Sequence, residues 1–281
     1  MTTNPSIIWF TAHKCASVYA RSILQNLAQD QGMIYVDYEG DFWLEGKSLR
    51  ELFSKKSLDV FKTTGHIYGP FRQYYSIPEM EKYKVILMLR DPRDVLTSLY
   101  FSIAYSHFIP EIKKAKMESS REDVKNKNID NFVIERAPWL RKNYEQYGKS
   151  LLGKNNVLFL SYEDMVINFP LWLSELFKYL QINNTEHLIK KLIYETKFEV
   201  KEDVYSHKRQ VKPGDHRRKL QVNTIKQLNL ELLYILKRYG WLRDGLQEAD
   251  ELFKLNLERA IQKLDNFQLL LEQAKQQITS D

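Results

Sequence analysis

Val85-Ile86-Leu87-Met88-Leu89, running into Arg90-Asp91-Pro92-Arg93-Asp94, is the stretch that decides the fold. An unbroken apolar run of this length predicts a strand buried on both faces, as in a parallel sheet covered by helices. Asp91 supplies a helix cap and Pro92 suits the first turn, so a helix is expected from there to about Tyr105. Outward from this unit the same grammar repeats. Ile7 to Phe10 reads as a buried strand, Thr11 to Ser17 as a small-residue loop, and Val18 to Gln29 as a helix closing near Gly32. Ile34 to Val36 and Val60 to Lys62 are short strand candidates, the second ending at Gly65-His66. Ala137 to Tyr147 reads as helix, Val157 to Leu160 as strand, and Pro170 to Leu180 as helix. Strands alternating with helices give an α/β fold: a three-layer sandwich whose central parallel sheet is flanked by helices through right-handed crossovers.

Two segments stand apart. Residues 111–130 are rich in Lys, Glu and Asn and are expected to form a surface excursion, a candidate lid. After Gly245, the residues Leu246, Ala249, Phe253, Leu257, Ala260, Leu264, Phe267, Leu271, Ala274 and Ile278 recur at steps of three and four. That spacing predicts a long C-terminal amphipathic helix, packed on its own domain or paired with a second chain.

Composition narrows the partners. The chain has 281 residues, 28% charged, with a net charge of +6. One cysteine excludes an internal disulfide framework. No run of about 18 apolar residues occurs, and Met1 to Ser6 lacks the marks of a secretory signal, so a cytoplasmic protein with no membrane partner is expected. The basic excess gathers at Lys208-Arg209 and at His216-Arg217-Arg218-Lys219. Such a local cluster suits a small polyanion better than nucleic acid.

Three features could carry chemistry. A strand, a small-residue loop and a helix N-terminus make an anion site at Thr11 to Ser17, and Lys14 adds a charge within it. The loop lacks the spacing of a Walker A sequence. Arg90 follows a strand on the edge where open α/β sheets bind ligands, and Ser98 lies one turn beyond Asp94 on the next helix. His66 follows a strand candidate and has the chemistry of a general base. Each has a structural alternative: a solvated loop lysine, an Arg–Asp surface network, a structural histidine.

In order along the chain, five segments resemble the motifs of PAPS-dependent sulfotransferases (PAPS is 3'-phosphoadenosine-5'-phosphosulfate). Thr11 to Tyr19 is similar to their 5'-phosphosulfate loop and Arg90 to Tyr100 to their 3'-phosphate motif. Leu158 to Met165 is similar to their Tyr-Glu-Asp segment, Thr196 to Phe198 to a segment facing adenine, and Arg209 to His216 to a late basic motif. The resemblance implies a P-loop-like fold and, with the C-terminal apolar stripe, divides the chain into a sulfotransferase domain over 1–244 and a helical extension over 245–281. It implies PAPS as donor, PAP as product and no metal. Lys14 would be catalytic, stabilising charge on the departing phosphate. Lys14, Cys15, Ala16, Ser17, Val18 and Tyr19 would hold the 5' end, and Arg90, Ser98, Lys208, Arg209 and Gln210 the 3'-phosphate. Tyr162, Thr196 and Phe198 would frame adenine, and His66 would be the base.

The chain departs from the family where Ala16 stands for a glycine, Val18 for a threonine, Tyr19 for a tryptophan and His216 for a tryptophan. No dimerisation signature of the cytosolic members is recognisable, so monomer and homodimer both stay open. The acceptor is expected to be a small hydroxylated or aminated secondary metabolite. Asp37, Asp41, Phe42, Trp43 and Tyr68 are its candidate contacts, an acidic and aromatic set that would suit a cationic molecule. The alternatives are a P-loop-type small-molecule kinase and a non-catalytic nucleotide-binding or assembly protein.

Overall fold

In the computed structural model, strands β1 (Ile7–Thr11), β2 (Ile34–Val36), β3 (His66–Phe71), β4 (Lys84–Leu89) and β5 (Val157–Ser161) form one sheet in the order β2-β3-β1-β4-β5. Every pairing is parallel. The structure describes residues 4–49, 53, 60–182, 186–196, 198, 201–206 and 208–242.

Alternation along the central strands builds a core on each face. Ile8, Phe10, Val85, Leu87 and Leu89 share one core with Tyr144 and Tyr147 of the helix Ile129–Ser150. Ile7, Trp9, Ile86 and Met88 share the other with Ile23, Leu24 and Leu27 of helix α1 (Ser17–Gln31) and Trp172 of the helix Phe169–Leu180. Successive strand residues point to opposite faces, so apolar side chains in both registers require helices on both sides. The parallel sheet flanked by helices is therefore as the sequence implied.

The strand expected at 60–62 is not formed. The strand of that region is β3, and it starts at His66 instead of ending there. Its interior Gly69-Pro70 reads in sequence as a strand breaker. Here the pair sits at an irregularity in the β1–β3 register between Ile8 and Phe10. Gly69 has φ 109°, and a Cβ there would lie 2.6 Å from the Trp9 carbonyl oxygen, so only glycine fits.

Helix α2 (Tyr38–Leu44) follows β2, capped by Asp37. Helix α3 (Pro92–Phe101), capped by Asp91, ends in a π-turn over Ser102–Ser106. Within 111–130, helix α4 (Lys114–Lys125) is tied down by Arg121, which donates to the carbonyls of Ile103 at 3.3 Å and His107 at 2.6 Å. Helix α5 is the long Ile129–Ser150 element, followed by α6 (Tyr162–Ile167) and α7 (Phe169–Leu180). The apolar stripe over 245–281 lies outside the described residues.

Candidate functional site

The C-terminal ends of the strands gather the charged residues. After β1, the chain bends through Lys14 (φ 61°) and Ala16 (φ 55°), both left-handed. Ala16 caps α1 without a side-chain bond, so the first amides of the helix have no side-chain partner. Alternating hands of this kind turn successive N–H groups toward one point, and the helix dipole adds positive potential there.

Arg90, at the tip of β4, is 3% exposed. Its Nη1 donates to the Lys14 carbonyl at 3.3 Å, and its guanidinium lies 4.4 Å from the centre of the Tyr162 ring. Asp94 is 3.6 Å from Nη2. Even so, Nε and Nη2 make no hydrogen bond. A buried guanidinium with unsatisfied donors is costly unless an acceptor arrives. Tyr144 fixes the strand tip by donating to the Arg90 carbonyl at 2.7 Å, and Tyr147 fixes that of β1 by donating to Thr11 at 2.5 Å.

Lys14 and Arg90 thus meet in one cradle. The Lys14 ammonium donates to Ser102 at 3.0 Å. Burial, then Arg90, Arg72 and Arg209, lower its pKa to about 8. Arg209 is buried, held by Glu202 and Asp215 over the Phe101 ring. Asp94 accepts from Gly214 N at 2.7 Å, His216 N at 2.9 Å and the His216 ring at 2.6 Å. Burial opposes its ionisation, but the His216 ring and Arg90 hold the carboxyl well below the usual range. The late basic segment is in this way tied to the helix that follows Arg90.

Other residues singled out in sequence lie around this cradle. Tyr19 bonds Thr196 and meets Phe198 edge-on at 6.2 Å, forming an aromatic corner at α1. Tyr162 is buried and donates to Val211 O at 2.8 Å. Cys15 is buried, and burial pushes its thiol up to about 12, so its contribution is restricted to its backbone. Ser98 is half-buried, Val18 and Lys208 are exposed, and Gln210 keeps a buried Nε2 without a hydrogen bond.

Two expectations are corrected by the strand register. His66 pairs with Ile34 at the start of β2, beside Ser6, so it stands at the opposite end of β3 from the cradle. The six residues of β3 span roughly 16 Å at the usual rise. Its ring bonds Thr64 O at 2.8 Å and stacks on Tyr68. It cannot be the base. Tyr68 is fully buried, its hydroxyl accepting from Lys62 N and donating to Val60 O, so it cannot contact an acceptor.

The acidic and aromatic set is corrected too. Asp37 caps α2 through Gly40 N and pairs with Arg21 at 2.6 Å. Lys113 covers the Trp43 ring at 3.8 Å, and His107 meets its edge. Phe42 packs against the core and Asp41 is exposed. Local cations thus already occupy two of the groups meant for a cationic acceptor, Asp37 and Trp43.

Three site residues, Arg72, His13 and Ser102, went unread in the sequence. Arg72, just past β3, donates to Glu39 from its backbone N at 2.6 Å and to Ser17 from Nε at 3.2 Å. Burial raises the pKa of Glu39. His13 packs on Trp139 at 5.8 Å. Ser102 lies one helical turn beyond Ser98, a spacing that could have drawn attention to it. No group of side chains suited to a metal ion occurs among the described residues, nor a helix long and apolar enough to cross a membrane.

Comparison with known proteins adds three findings. The family described as "Sulfotransferase domain" matches residues 46–227, more than half of the chain. Among solved structures, mouse sulfotransferase SULT7A1 complexed with PAP superposes with a TM-score of 0.57 at 14% identity, covering 89% of this chain and 88% of that one. Retinol dehydratase in a complex with retinol and PAP gives 0.53 at 15% identity, covering 84% and 83%. No curated protein matches the sequence.

Proposed function

The chain belongs to the sulfotransferase domain family, and we propose that it transfers a sulfuryl group from PAPS to the hydroxyl or amine of a small metabolite. One observation carries the reading. Arg90 and Lys14 share a buried cradle in which two guanidinium nitrogens, Nε and Nη2, lack hydrogen bonds. A donor nucleotide with phosphates at both ends of one ribose would satisfy them.

In this reading Lys14 and the first amides of α1 stabilise the charge on the departing phosphate oxygen. Arg90, Arg209, Ser98 and the Lys208–Gln210 segment bind the 3'-phosphate. Tyr19, Thr196 and Phe198 border adenine, with Tyr162 supporting Arg90 from below. The PAP found in the two solved relatives supports the same nucleotide here. A permanently cationic acceptor is not proposed, because Asp37 and Glu39 are already paired with Arg21 and Arg72. The domain is proposed to end at residue 244, with 245–281 as an extension.

Titration calorimetry with PAP, against ATP with Mg²⁺, tests this. PAP is expected to bind at least about a hundredfold more tightly, since the 3'-phosphate adds charge-assisted bonds to a buried arginine. Equal affinities, or preference for ATP with Mg²⁺, would favour a kinase.

A further inference from the structure

The correction at His66 leaves the transfer without a base, and the loop after β1 offers one. We propose that His13 takes the acceptor's proton. The inference rests on the sulfuryl-transfer reading above and adds the acceptor side of the same site.

His13 directly precedes Lys14 in the loop. Its ring packs 5.8 Å from Trp139 of α5, and among the described residues its nitrogens make no hydrogen bond. Five other candidates are committed elsewhere. Both oxygens of Glu39 accept from Arg72. Glu163 accepts from Asp91 N and from the Trp241 indole. His216 faces Asp94, His187 faces Asp30, and His66 is at the far edge of the sheet.

The charged groups facing His13 are Lys14 on its own loop, Arg72 beyond β3 and His107 beyond the π-turn; Trp139 of α5 is neutral. Burial, then Arg72, Lys14 and His107, lower the pKa of His13 to about 3. The imidazole is therefore neutral at working pH, with a lone pair available, but it is a weak base. Anionic charge placed against Lys14 and Arg90 offsets the field that suppresses it. Basicity then develops only when there is a sulfuryl group to receive the acceptor.

The step balances. The acceptor's O–H or N–H proton passes to a ring nitrogen of His13. The acceptor's heteroatom forms a bond to sulfur while the bond from sulfur to the 5'-phosphate oxygen breaks. The electron pair of that bond stays on the phosphate oxygen beside Lys14. The imidazolium returns its proton to solvent as products leave.

The test uses the full chain and His13→Gln and His13→Ala. PAP affinity is expected to stay within about threefold of wild type, while transfer from labelled PAPS falls at least about a hundredfold. The rate is read on whichever acceptor the wild type uses fastest among aliphatic alcohols, amines, 2-naphthol and 4-nitrophenol. Added imidazole should partly restore His13→Ala, which a purely structural role would not allow. Transfer within about threefold of wild type in both variants overturns the assignment and leaves the sulfuryl-transfer reading standing. Failure of wild type to bind PAP would instead remove that reading. On wild type alone, ¹⁵N NMR should find His13 neutral down to about pH 5 without nucleotide and titrating at least about one unit higher with PAP. A titration unmoved by PAP overturns the donor-dependent basicity whatever the acceptor.

Discussion

The two edges of the sheet each carry a histidine, yet they differ in what they leave undone. At the edge where the strands begin, everything polar closes on itself. His66 N donates to Ser6 Oγ at 3.0 Å, its ring bonds Thr64 O, and Ser6 N and Gly65 N bond Thr63 O and Asn4 O. At the edge where the strands end, Arg90 is buried with open donors, Lys14 is held below its ordinary pKa by burial and then by three arginines, and the ring nitrogens of His13 make no hydrogen bond among the described residues. Helix N-termini and strand-to-helix loops converge only at that second edge in a parallel sheet, so unsatisfied cations collect there. The contrast separates residues that hold the fold from residues that wait for a ligand.

The largest effect should come from Lys14. Replacing it with Met removes the ammonium nearest the departing oxygen, and turnover should fall about a thousandfold. Its ionisation gives the same comparison a pH axis. Burial and neighbouring arginines bring Lys14 to about 8, so the ammonium is present below that pH and is lost as pH rises through it. PAP affinity measured by calorimetry should therefore weaken between pH 7 and 9, and this drop should disappear in Lys14→Met. An unchanged affinity across that range would mean that Lys14 does not face the nucleotide.

His66→Ala probes the closed edge. It removes a ring stacked on Tyr68 and a bond to a loop carbonyl, at a cost to stability of about 1 kcal/mol. Turnover should remain within about threefold of wild type at temperatures where the variant is folded. A hundredfold loss, with PAP binding intact, would return His66 to the chemistry and contradict the register of β3.

The same contrast explains what could be read in the sequence. The runs at 7–10 and 85–89 announced their strands because burial on both faces leaves no polar position to interrupt them, and 157–160, half-buried at the sheet's edge, still sends apolar side chains to both cores. Arg90 and Lys14 were legible because the first directly follows such a run and the second lies in the small-residue loop that leaves one. β3 was not, because Gly69-Pro70 interrupts it, and with its start misplaced His66 seemed to stand at a strand tip. Arg72 holds that tip instead, and no local pattern around it distinguishes it from a solvated arginine. His13 was passed over for a related reason: its neighbours Arg72, His107 and Trp139 come from distant segments, and only the folded sheet brings them together. The roles of Asp37 and Trp43 depended on partners, Arg21 and Lys113, that sequence proximity could not supply.

The smallest effect sharpens the open edge from within. Ala16 has φ 55° at the cap of α1, a hand that costs an L-residue roughly 1–2 kcal/mol. Glycine would relieve that strain but loses more backbone entropy on folding, about 0.5–1 kcal/mol. Ala16→Gly should therefore be neutral to stabilising by about 1 kcal/mol, raising Tm by no more than about 4 °C, with PAP affinity unchanged. A fall in Tm of several degrees would show that the methyl group, packed at the margin of the core behind α1, contributes more than the strain removes. A loss of PAP affinity at constant Tm would show that the alanine fixes the loop amides in the hand the nucleotide needs, making the strain part of the site.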